Sequence, residues 1–315
     1  MNNNDIIQNL RCKIDNSILP LITSDYVFWG LPYYINPGDT LIWEGALDLL
    51  KRCKYKCLGT CGWDEYKYRP LSKDTVILII GGGFFGDVWR DAWDSVMDTI
   101  TQYPDNPIVI LPQSIHYENQ SVASSDSKRL SECKNLTICV RDQRSFDYGK
   151  SVFSNNILLV PDLAFHLPIE SIHACTTHSG KTLYVKRADK EKPSIELNSL
   201  NDIDVRDWPD MEEKLSGSLR LVMALYARLR PFKSLKLVEW GITNLMYYFQ
   251  RRIILKNAVA FINQYDTVYT TRLHVMILSF LLDKEVYILD NSYGKVSGCY
   301  LAWIKECDKI RIYEQ

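Results

Sequence analysis

Two short runs near the C-terminal end, Thr271-Arg-Leu-His274 and Asp290-Asn-Ser-Tyr-Gly-Lys295, put several reactive groups within two dozen residues. They hold a guanidinium (Arg272), an imidazole (His274), an ammonium (Lys295), and the amide and hydroxyls of Asn291, Ser292 and Tyr293. Cationic side chains beside a helix N-terminus suit a small anion carrying phosphate or carboxylate. A histidine among them can exchange a proton near neutral pH. The bland alternatives are that Arg272 pairs with Asp266 or Asp290 to tie a sheet together, and that His274 is a satisfied core histidine.

The elements around these residues decide what they can reach. Tyr265–Thr270 reads as a strand, His274–Leu282 as a helix with an apolar body, and Glu285–Asp290 as a second strand. If the strands are parallel, both C-terminal strand ends and the helix start share one sheet edge, where open α/β sheets bind ligands. The first half repeats this arrangement. Tyr26–Trp29 leads to Asn36-Pro-Gly-Asp39 and a helix from Thr40 to Lys51; Thr75–Ile80 leads to Gly81-Gly-Gly-Phe-Phe-Gly-Asp87 and a helix from Trp89. Ile108–Leu111, Leu136–Val140 and Ile157–Val160 precede Pro112–His116, Arg141-Asp142 and Pro161-Asp162. Strands made of unbroken Val, Ile and Leu expect helices on both faces, hence a doubly wound parallel sheet. A break at 168–180 precedes a strand at Thr182–Val185 and another within Asp202–Asp210.

The loops each carry two readings. Gly81–Asp87, with Gly82 and Gly83 at its centre, either offers backbone N–H groups to an anion or makes a tight turn; it lacks the Lys-Ser/Thr of a Walker loop. Asp39 and Asp87 are either helix caps or carboxylates poised as general bases. Gln113, Ser114 and His116 form a polar cluster suited to sugar hydroxyls. Arg141 either pairs with Asp142 or reaches the cleft.

Composition bounds the rest. The 315 residues are 46% hydrophobic and 24% charged, enough for two cores, and the net charge of −1 argues against a general nucleic-acid binder. Nine cysteines without metal-ligand spacing, including Cys53-x3-Cys57-x3-Cys61, read as structural thiols in a reducing cytoplasm. The expectation is no metal, no cofactor, no export signal and no membrane span. Lys214–Lys256 holds nine basic residues and one acid, Glu239, among Trp240, Tyr247, Tyr248 and Phe249. It reads either as amphipathic helices with solvated charges or as a surface for an anionic inner leaflet or lipid-linked phosphate.

In order along the chain, Asn36-Pro-Gly-Asp39, Gly81-Gly-Gly-x-x-Gly-Asp87, Leu111-Pro-Gln-Ser114, Arg141-Asp142, Pro161-Asp162, Arg187-x-Asp189, Thr271-Arg-Leu-His274 and Asp290-Asn-Ser-Tyr-Gly-Lys295 resemble the polysaccharide pyruvyl transferase family. Val275 stands where many relatives have glycine, and the first twenty residues match nothing in the pattern. The resemblance implies two Rossmann-like domains facing across a cleft, similar to GT-B glycosyltransferases. Residues 1–172 would form the acceptor side and 173–315 the phosphoenolpyruvate side, the last helix packing back on the first domain. It implies transfer of pyruvate from phosphoenolpyruvate onto two hydroxyls of one sugar as a cyclic ketal. Arg272, Leu273, His274, Lys295, Arg187, Asn291, Ser292 and Tyr293 would then serve the donor. His274 would be the general acid and Asp39 or Asp87 the base. Gly82, Gly83, Gln113, Ser114, His116, Arg141, Asp142 and Asp162 would lie on the acceptor side of the cleft. A saccharide on a lipid carrier, as in capsule or exopolysaccharide assembly, is the expected acceptor. The rival functions are a nucleotide-sugar glycosyltransferase of the same architecture and a non-catalytic binder of anionic glycans.

Overall fold

A computed structural model describes residues 2–62, 70–168, 179–186, 203–208, 221, 224–225, 228, 236–290 and 294–313, with backbone alone for 236–244. Two all-parallel sheets organise it. The first contains β1 (Tyr26–Leu31), β2 (Cys57–Gly62), β3 (Val76–Ile79), β4 (Gly82–Gly86), β5 (Ile108–His116), β6 (Leu136–Val140) and β7 (Asn156–Leu159). Its order is β2-β1-β3-β5-β6-β7, with β4 paired to β5. The second contains β8 (Thr182–Val185), β9 (Ile203–Arg206), β10 (Thr267–Thr270), β11 (Glu285–Ile288) and β12 (Ile310–Ile312), in the order β12-β11-β10-β8-β9.

Each order reverses direction once: between β1 and β3 in the first sheet, and between β8 and β10 in the second. Ligand crevices form outside the carboxyl ends of strands at such switch points. The chain leaving β1 and β3 is Gly30–Asp39 and Ile80–Gly83; the chain leaving β10 is Thr271–His274. Both crevices therefore fall on residues singled out by their chemistry.

Helices cover the sheets: α1 (Asn3–Ile18), α2 (Pro37–Leu50), α3 (Arg90–Gln102), α4 (Gln120–Ser131), α5 (Gln143–Val152), α6 (Lys236–Ile262), α7 (Leu273–Leu281) and α8 (Lys295–Trp303). The unplaced N-terminal segment is α1, burying Ile6, Ile7, Leu10, Ile14 and Ile18 at helical spacing. One apolar cluster runs without interruption from α1 and β1 through α2, α6 and α7 to β11, so the two sheets share a core instead of having one each. A second cluster fills the other face of the first sheet. The boundary expected between 172 and 173 lies outside the described residues, as does most of 214–235.

Three expectations need correction. The cap of α2 is Asn36, whose side chain accepts from the N–H groups of Gly38 and Asp39; Asp39 lies inside the first turn. Pro112–His116 is strand, not loop. Pro112 is tolerated there because the ladder to β6 is irregular between Ile110 and Gln113. The stretch Gly82–Gly86 is strand as well, and a Cβ on Gly86 would lie 1.7 Å from the His116 carbonyl oxygen, so that glycine is required by backbone packing.

Candidate active site

The site is assembled where the ends of β3, β6 and β7 meet the starts of α2, α7 and α8. Arg141 follows β6 and Asp162 follows β7, its neighbour in the sheet, so their side chains can meet. Arg141 Nη1 donates to Asp162 Oδ2 at 2.6 Å, each side chain 1% exposed. Arg141 Nε donates to Ser114 Oγ, and Ser114 donates to Asp142, which also caps α5 through Ser145 N. The anticipated Arg141–Asp142 pair is thus replaced by Arg141–Asp162. Burial on its own would raise the Asp162 carboxyl, but the Arg141 guanidinium and the adjacent His274 hold it well below the usual carboxylate range.

His274 enters from the second sheet, as the second residue of α7. Its Nε2 is 3.5 Å from Asp162 Oδ2 and 3.5 Å from Arg141 Nη1. On the other side of the ring, a Cβ placed on Gly38 would lie 2.4 Å from Nδ1. Only glycine at 38 lets α2 approach the imidazole this closely. Histidine 274 is therefore not an isolated core residue: it sits against a buried acid, a buried base and a helix start.

Lys295, the first residue of α8, follows Gly294, which has φ of 71°. A Cβ on Gly83 would lie 2.5 Å from Lys295 Nζ and 3.2 Å from Arg141 Nη2. Two cations thus converge on a glycine backbone at the rim of β4. Arg141 Nη2 is buried and has no hydrogen-bond partner among the described residues. Beside them opens a hollow of about 280 Å³ including its mouth, lined in part by Gly83, Phe84, Trp89, Ser114, His116 and Lys295. Trp303 Nε1 donates to the Arg141 carbonyl, so α8 also contacts the first sheet's strand ends.

Other candidates are placed differently from expectation. Arg272 pairs with neither Asp266 nor Asp290; its Nε and Nη2 grip Asp207 at 2.5 and 2.6 Å. Leu273 is buried. Gln113 is fully buried and its amide donates to the Ile80 carbonyl, so it braces the strand ends instead of facing solvent. Asp87 caps no helix: both its oxygens accept from the backbone N–H groups of Glu118 and Asn119, which fixes the entry to α4. Asp39 is half-buried and accepts from Tyr34 Oη at 2.9 Å. Gly82, with φ of 155°, stands beside the Gln113 amide. Arg187, Asn291, Ser292 and Tyr293 lie outside the described residues. Sequence reading missed Gly38, Gly83's opposition to Lys295, and Asp207. A cross-sheet approach leaves no local signal in either segment.

Comparison with known proteins points the same way. A family model described as polysaccharide pyruvyl transferase matches residues 36–293. A Bacillus subtilis protein named "putative pyruvyl transferase EpsO" is 29% identical over 296 residues, covering 92% of this chain and 89% of that one. Pyruvyl transferase 1 of Schizosaccharomyces pombe is 24% identical, with 88% and 69% covered. A crystal structure of a functionally uncharacterized Klebsiella pneumoniae protein superposes with a TM-score of 0.63 over 98% of this chain and 99% of that one, at 20% identity, which speaks for a shared fold. The match spans both sheets and takes in Gly38, Gly83, Arg141, Asp162 and His274, the residues that meet at the site, and the chain belongs to the polysaccharide pyruvyl transferase family.

Proposed function

We propose that the protein transfers the pyruvyl unit of phosphoenolpyruvate onto two hydroxyls of one sugar, forming a cyclic ketal and releasing phosphate. The observation that carries this reading is the convergence of His274, Arg141 and Lys295 on Asp162 and the Gly83 backbone. A donor with a phosphate and a carboxylate needs cations that are held in place before it arrives. Arg141 is held by Asp162 and Ser114, with Nη2 left to an anion, and Lys295 stands beside it.

In the proposed reaction His274 gives a proton to C3 of the enol, and positive character develops at C2. Asp162 orients the imidazole from its Nε2 side, and Gly38 packs against the opposite edge of the ring. A sugar hydroxyl attacks C2 and passes its proton to Asp39, whose carboxylate is reached by Tyr34 and not tied to backbone as Asp87 is. The C2–O bond to phosphate then breaks with its electron pair on phosphate, stabilised by Arg141 and Lys295. The second hydroxyl closes the ring and gives its proton to His274, which was left neutral by the first step, while the proton on Asp39 leaves with the phosphate. Apart from Arg141 and Asp162, the residues after the first sheet's strands would serve the acceptor, with the hollow beside Trp89 and His116 taking the sugar. Those of the second sheet would serve the donor.

A lipid-linked acceptor at the inner leaflet is supported by α6, which exposes Leu245, Tyr248 and Phe249 beside Arg252. Among the described residues no helix is long and apolar enough to cross a membrane, so such contact would be peripheral. The deciding assay measures phosphate release and ketal formation with phosphoenolpyruvate and a panel of lipid-linked saccharides. Transfer from a nucleotide sugar instead, or no transfer with any acceptor, would sink the reading.

A further inference from the structure

Asp162 does two things with one carboxylate. Its Oδ2 meets Arg141 and His274, while its Oδ1 accepts from Ala164 N and so caps the 3₁₀ turn Leu163–His166. Any displacement of that turn moves the group that orients His274. What holds the turn therefore bears on the chemistry.

All four residues of the turn are fully buried. On one side α2 packs backbone to backbone: a Cβ on Gly45 would lie 1.8 Å from the Leu163 carbonyl oxygen. This contact fixes how deep the turn sits. At its C-terminal end the last carbonyls carry partial negative charge and lack partners within the turn. Arg11 of α1 supplies one. Its Nη1 donates to the carbonyls of His166, at 3.2 Å, and Leu167, at 2.6 Å, while Nη2 donates to Asp48 of α2 at 2.8 Å. One guanidinium thus ties α1, α2 and the turn, and it is itself 8% exposed. The His166 ring is held as well, with Nε2 3.0 Å from Asp15 of α1.

We infer that Arg11 is a positioning residue for the reaction: by gripping the carbonyls at the end of the Leu163–His166 turn, it holds Asp162, and through Asp162 the His274 imidazole. Its helix lies outside residues 36–293, the span matched by the family model, so this support is carried by a segment beyond the family's pattern. The inference rests on the proposed role of His274 as proton donor. The planar, five-donor guanidinium is what the geometry uses: a lysine keeps the charge but cannot serve two carbonyls and a carboxylate at once.

The test compares Arg11→Met, Arg11→Lys and, as a control, Lys51→Met, which removes an exposed partner of the same Asp48. Two readouts are taken on the full chain. Steady-state kinetics should show kcat reduced about tenfold to a hundredfold in Arg11→Met, the scale expected for misplacing a reacting group. The KM for phosphoenolpyruvate should stay within about twofold, Arg11→Lys should recover part of kcat, and Lys51→Met should match wild type. Imidazole nitrogen resonances of His274, identified by their loss in His274→Gln, should move in Arg11→Met. Unchanged kcat and unmoved His274 resonances overturn the proposal, even if the melting temperature falls. A rise in KM with kcat intact overturns it too. If Arg11→Met does not fold, Arg11→Lys is read by the same criteria. Should the wild type transfer nothing from phosphoenolpyruvate, the reading of the reaction fails, and the His274 resonances still decide whether Arg11 positions the ring.

Discussion

Arg141 and Arg272 both follow the C-terminal end of a strand, one in each sheet, yet their surroundings differ. Arg141 is 1% exposed and divides its guanidinium: two nitrogens go to Asp162 and Ser114, and Nη2 has no hydrogen-bond partner among the described residues. Arg272 is more open and meets Asp207 through both Nε and Nη2, a bidentate pair that uses the fork of the group. An arginine's place at a strand end brings it to a crevice. Its neighbours decide whether it faces a ligand as a cation or holds a loop to a helix.

The sharpest way to break this comparison is to remove the group that both sheets surround. His274→Ala should lower turnover by about 10²–10⁴-fold, the range for a general acid, in a protein whose circular dichroism is unchanged. Near wild-type phosphate release would remove His274 from the chemistry. Arg141→Met should follow, with activity lost and stability reduced by about 3–5 kcal/mol because Asp162 is left as an unpaired buried charge. Denaturant titration at neutral pH measures the second effect. Arg272→Lys should cost less, on the order of 1 kcal/mol of stability, since its pair with Asp207 is partly solvated. If Arg272→Lys proves the more damaging of the two to turnover, the roles assigned to the arginines are reversed.

A smaller effect separates two glycines at the site. Gly38→Ala brings a methyl against the imidazole ring, whereas Gly83→Ala meets the far end of the flexible Lys295 side chain. Gly38→Ala should reduce kcat at least tenfold and Gly83→Ala only a few-fold, seen mainly in donor KM; equal effects would contradict the geometry. The mildest test uses pH. Burial, aided by Arg11, pushes the His166 imidazole below its ordinary value against the pull of Asp15 and Asp48. Folding therefore favours neutral His166, and its contribution is present above about pH 6.5 and declines as pH falls below that value. The depressed Asp162 contributes stability above the ordinary carboxylate pKa of about 4, lost only in stronger acid. Melting temperature should fall first between about pH 6.5 and 5, and that first fall should be blunted in His166→Gln.

Much of this arrangement was legible in the chain. Unbroken runs such as Val76–Ile79 and Ile108–Leu111 announced buried parallel strands, and the residues after them gather at the crevices as a doubly wound sheet requires. What escaped was anything set by packing between distant segments. Asn36-Pro-Gly-Asp39 pointed to Asp39 as the cap, and only the helix start in three dimensions chooses Asn36. Gln113 and Ser114 look like loop residues after a proline; the β4 partner that extends their strand is itself disguised as a glycine loop. Gly38 has a glycine's freedom in sequence, but its necessity comes from an imidazole 236 positions later.

The helix α1 spans a long interval of sequence with few residues. Asn3 donates to the Phe280 carbonyl and to Asp283, and Arg11 reaches His166 and Leu167. The anchor at Phe280 lies 277 residues along the chain from Asn3, so that contact forms only after α7 has been made. The face of α1 that carries Ile6, Ile7, Leu10 and Ile14 stays partly uncovered until the Leu163–His166 turn is in place. Docking of α1 is thus a late, long-range step of folding, and a chaperone that shelters the emerging helix should raise the yield of folded protein.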